Sequence, residues 1–424
     1  MCEVVGVLSR SRIAILTTAF VLGGCAADPP APQPPPIRST WSTPLDEKST
    51  VVLSADTAYL NRTGVRGPEL AAFDLESGVV RWTTETGAAL SDFGPAPAGP
   101  IVLLRVDPAV VHQDGPDGIR TYTEIARTTI AFDPITGAEV WRTRGSAEAG
   151  SRADTALVSE HDSAGNLIRL RLVELRHGRQ IWTRAMHGIA SSVVTSTGDG
   201  RPAGVATADD NGRIEVLGYP DGKVQRSFQL PKMPAKHRTE LTDAGRYLAV
   251  TSGDSRFGST TVYDLAGQVA LFRTSDAPGG LVSCGPMLCS LTSDAVTGRD
   301  PATGRQRWQH RGVTKLWQLS DNRLLLYGDS LDTPVLIVDA DTGRAVGAAT
   351  VGAPVWTSQL SGSVLLLHDQ SRQSGRIPIA ELHISTGKAT SLGTVAPHGE
   401  RPCVSAGRYL ACPGKGVVTV TAVK

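Results

Sequence analysis

The string AFDPITGAEVWRT occupies residues 131–143, and AFDLESGVVRWTT occupies residues 72–84. A third version, GRDPATGRQRW, covers residues 298–308. Each sets an Asp, a Gly and a Trp at the same internal spacing. An Asp side chain at the first position accepts from backbone N–H groups two residues on, and the Gly supplies the residue at φ > 0 that closes a four- or five-residue hairpin loop. The Trp stands four residues after the Gly, on the strand that leaves the turn, where side chains alternate between two faces. The string therefore reads as strand, tight corner, strand, with an aromatic anchor on one face.

Aligned on the Gly, the corner recurs eight times, as DLESG (Gly78), DPITG (Gly137), ELRHG (Gly178), GYPDG (Gly222), YDLAG (Gly267), DPATG (Gly304), DADTG (Gly343) and HISTG (Gly387). The spacings are 59, 41, 44, 45, 37, 39 and 44 residues. A period near 40–45 marks a four-stranded propeller blade. Asp occupies the first position at Asp74, Asp133, Asp300 and Asp339, and four of the seven Trp share one repeat position, as Trp82, Trp141, Trp182 and Trp308. Equivalent positions around a ring do not converge, so these Trp read as anchors against the neighbouring blade and not as a binding cage. Short apolar alternating segments bounded by turn residues fill the intervals, as in NRLLLYGD and PVLIVDADTG, and no helical period of useful length follows residue 25. The fold class is all-β, a propeller of four-stranded antiparallel blades.

These strings resemble the PQQ-like β-propeller repeat, whose copies end in an A-x-D-x-x-T-G-x-x-x-W pattern. The resemblance spans roughly residues 40–424 and weakens in the fourth, fifth, seventh and eighth copies. Eight blades are usual for the family and match the eight corners, with seven to nine compatible. The C-terminal RPCVSAGRYLACPGKGVVTVTAV adds about three strands, and STWSTPL near residue 40 reads as an isolated outer strand. Pairing these two ends closes the ring, removes its free edges and gives nine blade equivalents.

The N-terminus sets the location. Arg10 and Arg12 precede an apolar stretch, Ile13 to Leu22, which is too short to span a bilayer but fits a signal h-region. It ends in LGGC, which resembles the lipobox of bacterial lipoproteins and implies lipidation of Cys25. Residues 1–24 are then a signal peptide, residues 25–37 a lipidated Cys with a Pro-rich linker, and residues 38–424 the propeller. Six Pro between Pro29 and Pro36 favour a semi-rigid polyproline II spacer. Four further cysteines lie in two local pairs. Hairpins turning on Pro286 and Met287, and near Gly407 and Arg408, set Cys284 opposite Cys289 and Cys403 opposite Cys412, at sites where Cα atoms approach to about 4.5 Å. Spacings of four and eight intervening residues, with no accompanying His, disfavour zinc, and disulfides agree with an oxidising compartment.

Composition narrows the function class. The 42 basic and 41 acidic residues give a net charge of +1, which offers no footprint for nucleic acid. Among the enzymes of the superfamily, the PQQ-dependent dehydrogenases, the resemblance implies adjacent cysteines and a calcium site, and this sequence has no Cys-Cys pair. Strings for zinc proteases, α/β-hydrolases, dinucleotides and P-loops are also missing, and single His such as His161 and His368 read as loop or core residues. The expectation is thus a non-enzyme with no cofactor and no metal.

Function then falls to loops on a rigid scaffold. The longest is Val106 to Ala126, with Asp114, Asp117, Arg120 and Tyr122 as candidate partner contacts, and Ser159–Asn166, Ser252–Ser259 and His368–Gly375 share its rim. The resemblance to the BamB-like lipoprotein propellers implies a membrane-anchored, extracytoplasmic scaffold for envelope proteins, at the outer membrane where the host has one. A quinoprotein-type enzyme using the central channel and a small-ligand sensor for sugar or peptide are the competing readings.

Overall fold

The computed structural model describes residues 35–423, apart from 115–119, 150–153, 198–200, 232–237, 254–257, 276–279, 321, 330–332, 358–361, 369–375, 397–398 and 400. The expected signal peptide, Cys25 and most of the Pro-rich linker lie outside the described residues.

The described strands form eight hydrogen-bonded sheets. Six have four strands: residues 50–85, 96–144, 238–274, 281–311, 315–351 and 353–395. A seven-stranded sheet over 146–229 holds two four-stranded units, because Gln180–Ser196 ends one and runs on as the first strand of the next. The last sheet joins both ends of the chain. Trp41–Pro44 pairs antiparallel with Val417–Ala422, with Trp41 opposite Val420 and Pro44 opposite Val417. Among the described residues there are thus nine four-stranded units: unit 1 (50–85), unit 2 (96–144), units 3 and 4 (146–229), unit 5 (238–274), unit 6 (281–311), unit 7 (315–351), unit 8 (353–395) and unit 9 (404–422 with 41–44), whose sheet also takes the short strand Trp356–Thr357 at its edge. The eight glycine corners mark the step from third to fourth strand in units 1 to 8. Unit 9 takes its fourth strand from the other terminus and has no such corner, so counting corners alone returns eight.

Side-chain alternation gives each sheet two buried faces. Leu53, Leu60 and Phe73 of unit 1 pack on Ala411, Val418 and Val420 of unit 9, whereas Tyr59, Leu70 and Trp82 face Val102, Leu104 and Ile130 of unit 2. Among the described residues, nine such clusters each join one unit to the next, the last linking unit 9 to unit 1. No unit buries its faces alone, as expected of repeat architectures.

The corners show how adjacent sheets register. In unit 1 the Asp74 carboxylate accepts from Ser77 N (2.8 Å) and Ser77 Oγ (2.8 Å), while Gly78 N donates to Asp74 O (2.9 Å). Asp133, Asp300 and Asp339 repeat the arrangement. Gly78, Gly137, Gly178, Gly304 and Gly343 all lie at φ between 66° and 70°. Onto each of five corners falls a Trp from the preceding unit, whose indole N–H donates to the carbonyl three residues before the glycine: Trp41 to Leu75, Trp82 to Pro134, Trp141 to Leu175, Trp182 to Tyr219 and Trp308 to Ala340, at 2.7–3.0 Å. A Cβ at Gly178 would stand 2.5 Å from Trp141 Cγ, so glycine serves both the dihedral and the close approach. Trp41 is a fifth member of the set, supplied by the N-terminal strand.

One corner differs from the sequence alignment. In YDLAGQ the left-handed residue is Gln268 (φ 55°), not Gly267, and Gln268 N donates to Asp264 O at 2.8 Å. The motif is shifted by one residue, so the anchor four positions on is Phe272, whose ring lies against Gly304. Unit 4 has no Trp at that position and instead sets Phe228 against Tyr263, with the rings tilted by 33° and their centroids 5.0 Å apart.

Two predictions follow from these corners. Trp141→Ala removes a side chain that is 91% buried together with its hydrogen bond, and is expected to cost about 3–5 kcal/mol by urea denaturation; Gly178→Ala, which strains the left-handed position, should cost at least about 1–2 kcal/mol. Hydrogen bonds hold the Asp74, Asp133, Asp300 and Asp339 carboxyls below their usual range, chiefly from Arg81, Thr136, Thr303 and Thr342 respectively. A pKa depressed in the folded state adds stability that is present above the unfolded value of 3.8 and lost as pH falls below it. Melting temperature should therefore fall below about pH 4, with a shallower slope in Asp133→Asn.

Candidate interaction surface

In each unit the corners between first and second strands share one face with the glycine corners. The loops between second and third strands share the opposite face with the connections between units. Most of these second-to-third loops are short: Gly64–Gly67 in unit 1, for example, is a tight corner.

Unit 2 breaks the pattern. Its second and third strands, Ile101–Asp114 and Arg120–Phe132, stay paired from Val102–Phe132 out to Asp114–Arg120. The segment Val106–Ala126, read from the sequence as the longest loop of this rim, forms an extended two-stranded arm paired out to Asp114 and Arg120. Beta-branched and apolar residues on both sides of the turn carry the ladder outward, where a loop of that length without secondary structure is uncommon. Asp107, at φ 54°, marks its base: Asp107 N donates to Ala89 O (3.0 Å), and its carboxylate accepts from Ala89 N (3.1 Å). Val111 is buried against Gly165 in the loop of unit 3, whereas Val110 is 58% exposed.

Three of the four candidate contacts lie on this arm. Asp114 and Arg120 are directly opposite each other, and Tyr122 is opposite His112. Asp117 lies outside the described residues. The neighbouring loop of unit 3 is the compact turn Asp162–Asn166, in which Asp162 accepts from the N–H groups of Ala164 and Asn166 at 2.9 Å. His161 beside it is partly buried, its Nδ1 has no hydrogen-bond partner, and burial pushes its pKa down. The central parts of the loops at 252–259 and 368–375 lie outside the described residues.

On the same face, a groove of about 1230 Å³ opens between units 9 and 1, lined by Leu45, Asp46, Arg62, Arg66, Glu69 and Glu85 among others. Its charges are paired internally, Arg62 with Glu69 at 2.8 Å and Arg66 with Glu85 at 2.6 Å, and Val65 at its lip is fully exposed. The arm face therefore combines exposed apolar side chains with a polar rim, the composition of a protein-binding surface.

The opposite face carries a site that no sequence motif announced. A cavity of about 1080 Å³ spans units 4 to 7, lined by Ser196, Asp243, Arg246, Asp300, Gln318 and Asn322 with their neighbours. Asp243, on the innermost strand of unit 5, accepts from Ser196 N (3.1 Å) and Ser196 Oγ (2.5 Å) of unit 4. Burial pushes the Asp243 carboxyl up, against the opposing effect of these bonds. Arg246 lies 4.7 Å over the Tyr247 ring at the mouth.

Both local cysteine pairs are disulfides, with Cα–Cα distances of 5.8 Å for Cys284–Cys289 and 4.3 Å for Cys403–Cys412. The second has the expected register. In the first, Gly285 (φ 72°) and Pro286 make the turn, so Cys284 is opposite Met287 and reaches Cys289 diagonally, whereas the sequence placed the turn on Pro286 and Met287. The left-handed glycine takes the first turn position, which shifts the register by one. Among the described residues, no group of three or more His, Cys, Asp or Glu side chains converges as a metal-binding set.

These features define an all-β propeller with a β-ribbon arm. Residues 35–187 match the family described as outer membrane protein assembly factor BamB. Comparison with curated proteins returns no match. Among solved structures, BamB from Moraxella catarrhalis is 15% identical, with 91% of this chain and 97% of that one covered and a TM-score of 0.44. A eukaryotic initiation factor is 12% identical over 84% of this chain and 90% of that one, at a TM-score of 0.51. The C-terminal WD40 domain of Sif2 is 10% identical over 92% and 99%, at 0.45. At such identities the likeness is one of fold.

A raised folded-state pKa adds stability that is lost as pH climbs through it, because the ionised carboxylate must then stay buried. Asp243→Asn keeps an oxygen acceptor for Ser196 and cannot ionise. Its melting temperature should exceed that of the unsubstituted protein at pH 8, and the difference should vanish near pH 4.

Proposed function

We propose that the protein is a lipid-anchored, extracytoplasmic, non-catalytic scaffold that binds envelope proteins through the arm face. The observation that carries this reading is the arm of unit 2: a ribbon extended beyond its own sheet, with Val110 exposed, leaves backbone groups and side chains available to another chain. The match of residues 35–187 to the BamB family supports protein partners at the envelope. The LGGC string at Cys25 and two disulfides support an exported, lipidated chain.

The cavity across units 4 to 7 favours one second reading, a sensor for a small polar ligand. A ligand present at 100 times its dissociation constant would raise stability by about 2.7 kcal/mol, visible as a thermal shift.

The scaffold reading is tested by shortening the arm. Replacing residues 109–125 with an Asn-Gly turn keeps the paired base at Val106–Thr128. Cross-linked partners recovered from native membranes by the unaltered protein should be lost with the shortened arm, while the melting temperature is retained. An unchanged partner set overturns the assignment to the arm. For the anchor, Cys25→Ala should abolish palmitate incorporation and release the protein from membranes.

A further inference from the structure

The Pro-rich linker does not stop at the edge of the propeller. Although the sequence reading ended the linker at residue 37, Pro35–Ile37 lie along the outer strand of unit 8, Ala389–Val395, with a parallel bridge between Pro36 and Thr394. Ile37 N donates to Thr394 O at 2.8 Å, and Thr394 N donates to Pro35 O at 3.0 Å. Arg376 clamps the junction, its Nε donating to Thr394 Oγ1 at 2.9 Å and its Nη2 to Ile37 O at 3.5 Å.

Two further features accommodate the docking. Gly393, at φ 140°, has no side chain where a Cβ would stand 2.6 Å from Pro35 O and 2.8 Å from Ile37 Cγ1. Ile37 packs against the cluster of units 8 and 9 that contains Val395 and Val423. Beyond it the chain passes to unit 9, where Thr40 N donates to Val420 O at 2.8 Å before Trp41–Pro44 completes that sheet. The edge of unit 8, which would otherwise present unpaired backbone groups, is partly covered by the linker. The point at which the linker leaves the ring is thereby fixed.

From this placement we infer that the outer edge of unit 8 is the rim held against a lipid surface. The inference rests on the proposed anchor at Cys25. Nine residues, 26–34, separate that Cys from Pro35, and even fully extended they reach at most about 35 Å. A tether of that length leaving from unit 8 keeps this rim nearest the bilayer, with unit 4, four units away in the chain order, held farther off. A linker free from residue 25 to residue 40 would give roughly half as much reach again and would not select this rim.

The experiment replaces lipidation with a histidine tag in place of residue 25, at the start of the mature chain, bound to vesicles containing nickel-chelating lipid. It therefore reads docking and orientation whether or not Cys25 is lipidated in the cell; the palmitate measurement reads the anchor separately. Single dyes are placed at Lys388→Cys and Lys223→Cys, equivalent exposed positions directly after the corner glycines of units 8 and 4. Energy transfer to an acceptor lipid should be higher from position 388 than from position 223. Gly393→Val should abolish that difference; Arg376→Ala, which leaves the backbone unstrained, should reduce it. Hydrogen exchange reports docking directly, with slow exchange expected at Ile37 and Thr394 in the unsubstituted chain. Fast exchange at both amides overturns the docking, and equal transfer from the two dyes with the amides protected overturns the orientation.

Discussion

The structure depends on one recurring close approach of each unit to the corner of the next, made at five seams by a fourth-strand Trp whose indole N–H donates to the carbonyl three residues before the corner glycine. It ties three requirements together. The corner must hold a left-handed residue, that residue must lack a side chain so that the ring can lie on it, and the ring must be buried by the following sheet. A four-stranded sheet with two apolar faces is unstable alone, and the indole fixes the angle and height at which the next one docks. Where the Trp is missing, the substitutes show what is indispensable. Phe272 keeps the ring on Gly304 but gives up the hydrogen bond, and at Gly387 the approach is backbone to backbone, with Gly347 Cα against the corner. Close packing persists in both cases, whereas the hydrogen bond is dispensable at a given seam.

This constraint explains which parts of the fold were legible in the sequence. Asp, Gly and Trp at fixed spacing encode a corner and its anchor within about ten residues, so the strands, their order and the all-β class follow from local chemistry alone. Trp41 was less visible because no corner glycine stands four residues before it and its own sheet is completed by the other end of the chain. Gln268 escaped notice for the opposite reason: an adjacent glycine invited the alignment, yet the turn places Gln in the left-handed position one step later. The register at Cys284 failed by the same single residue. Each error concerns which of two neighbours takes φ > 0, a difference of a kcal/mol or so that composition does not display.

The candidate surface was legible only as an anomaly of length. A spacing of 59 residues where the others lie at 37–45 located the insertion in unit 2 but not its form. The arm is a ladder because its two strands can continue the pairing begun inside the sheet, so register was already set before the chain left the core. The cavity across units 4 to 7 had no signature at all. Asp243 and Ser196 are separated by 47 residues, and only the stacking of consecutive sheets brings them together.

The division of labour between the two faces has a physical basis in the same corners. On one face, the corner carboxylates are occupied by bonds that hold their own corners and the Trp indoles by bonds that hold neighbouring sheets together, and substitution there disturbs the ring itself. On the other, the second-to-third loops carry no such duty, since the strands they join are already paired along their length. An insertion can therefore grow on that face without loosening a seam, provided that its base is secured, as Asp107 secures the arm to Ala89. The ninth unit extends this reasoning to the chain ends. Because its fourth strand comes from the N-terminus, the segment that leaves the ring is also the one that completes it, and a pull on the linker acts along hydrogen-bonded strands at units 8 and 9. Force of that kind is shared among several bonds at once, because the linker strand and the strand that completes unit 9 are continuous.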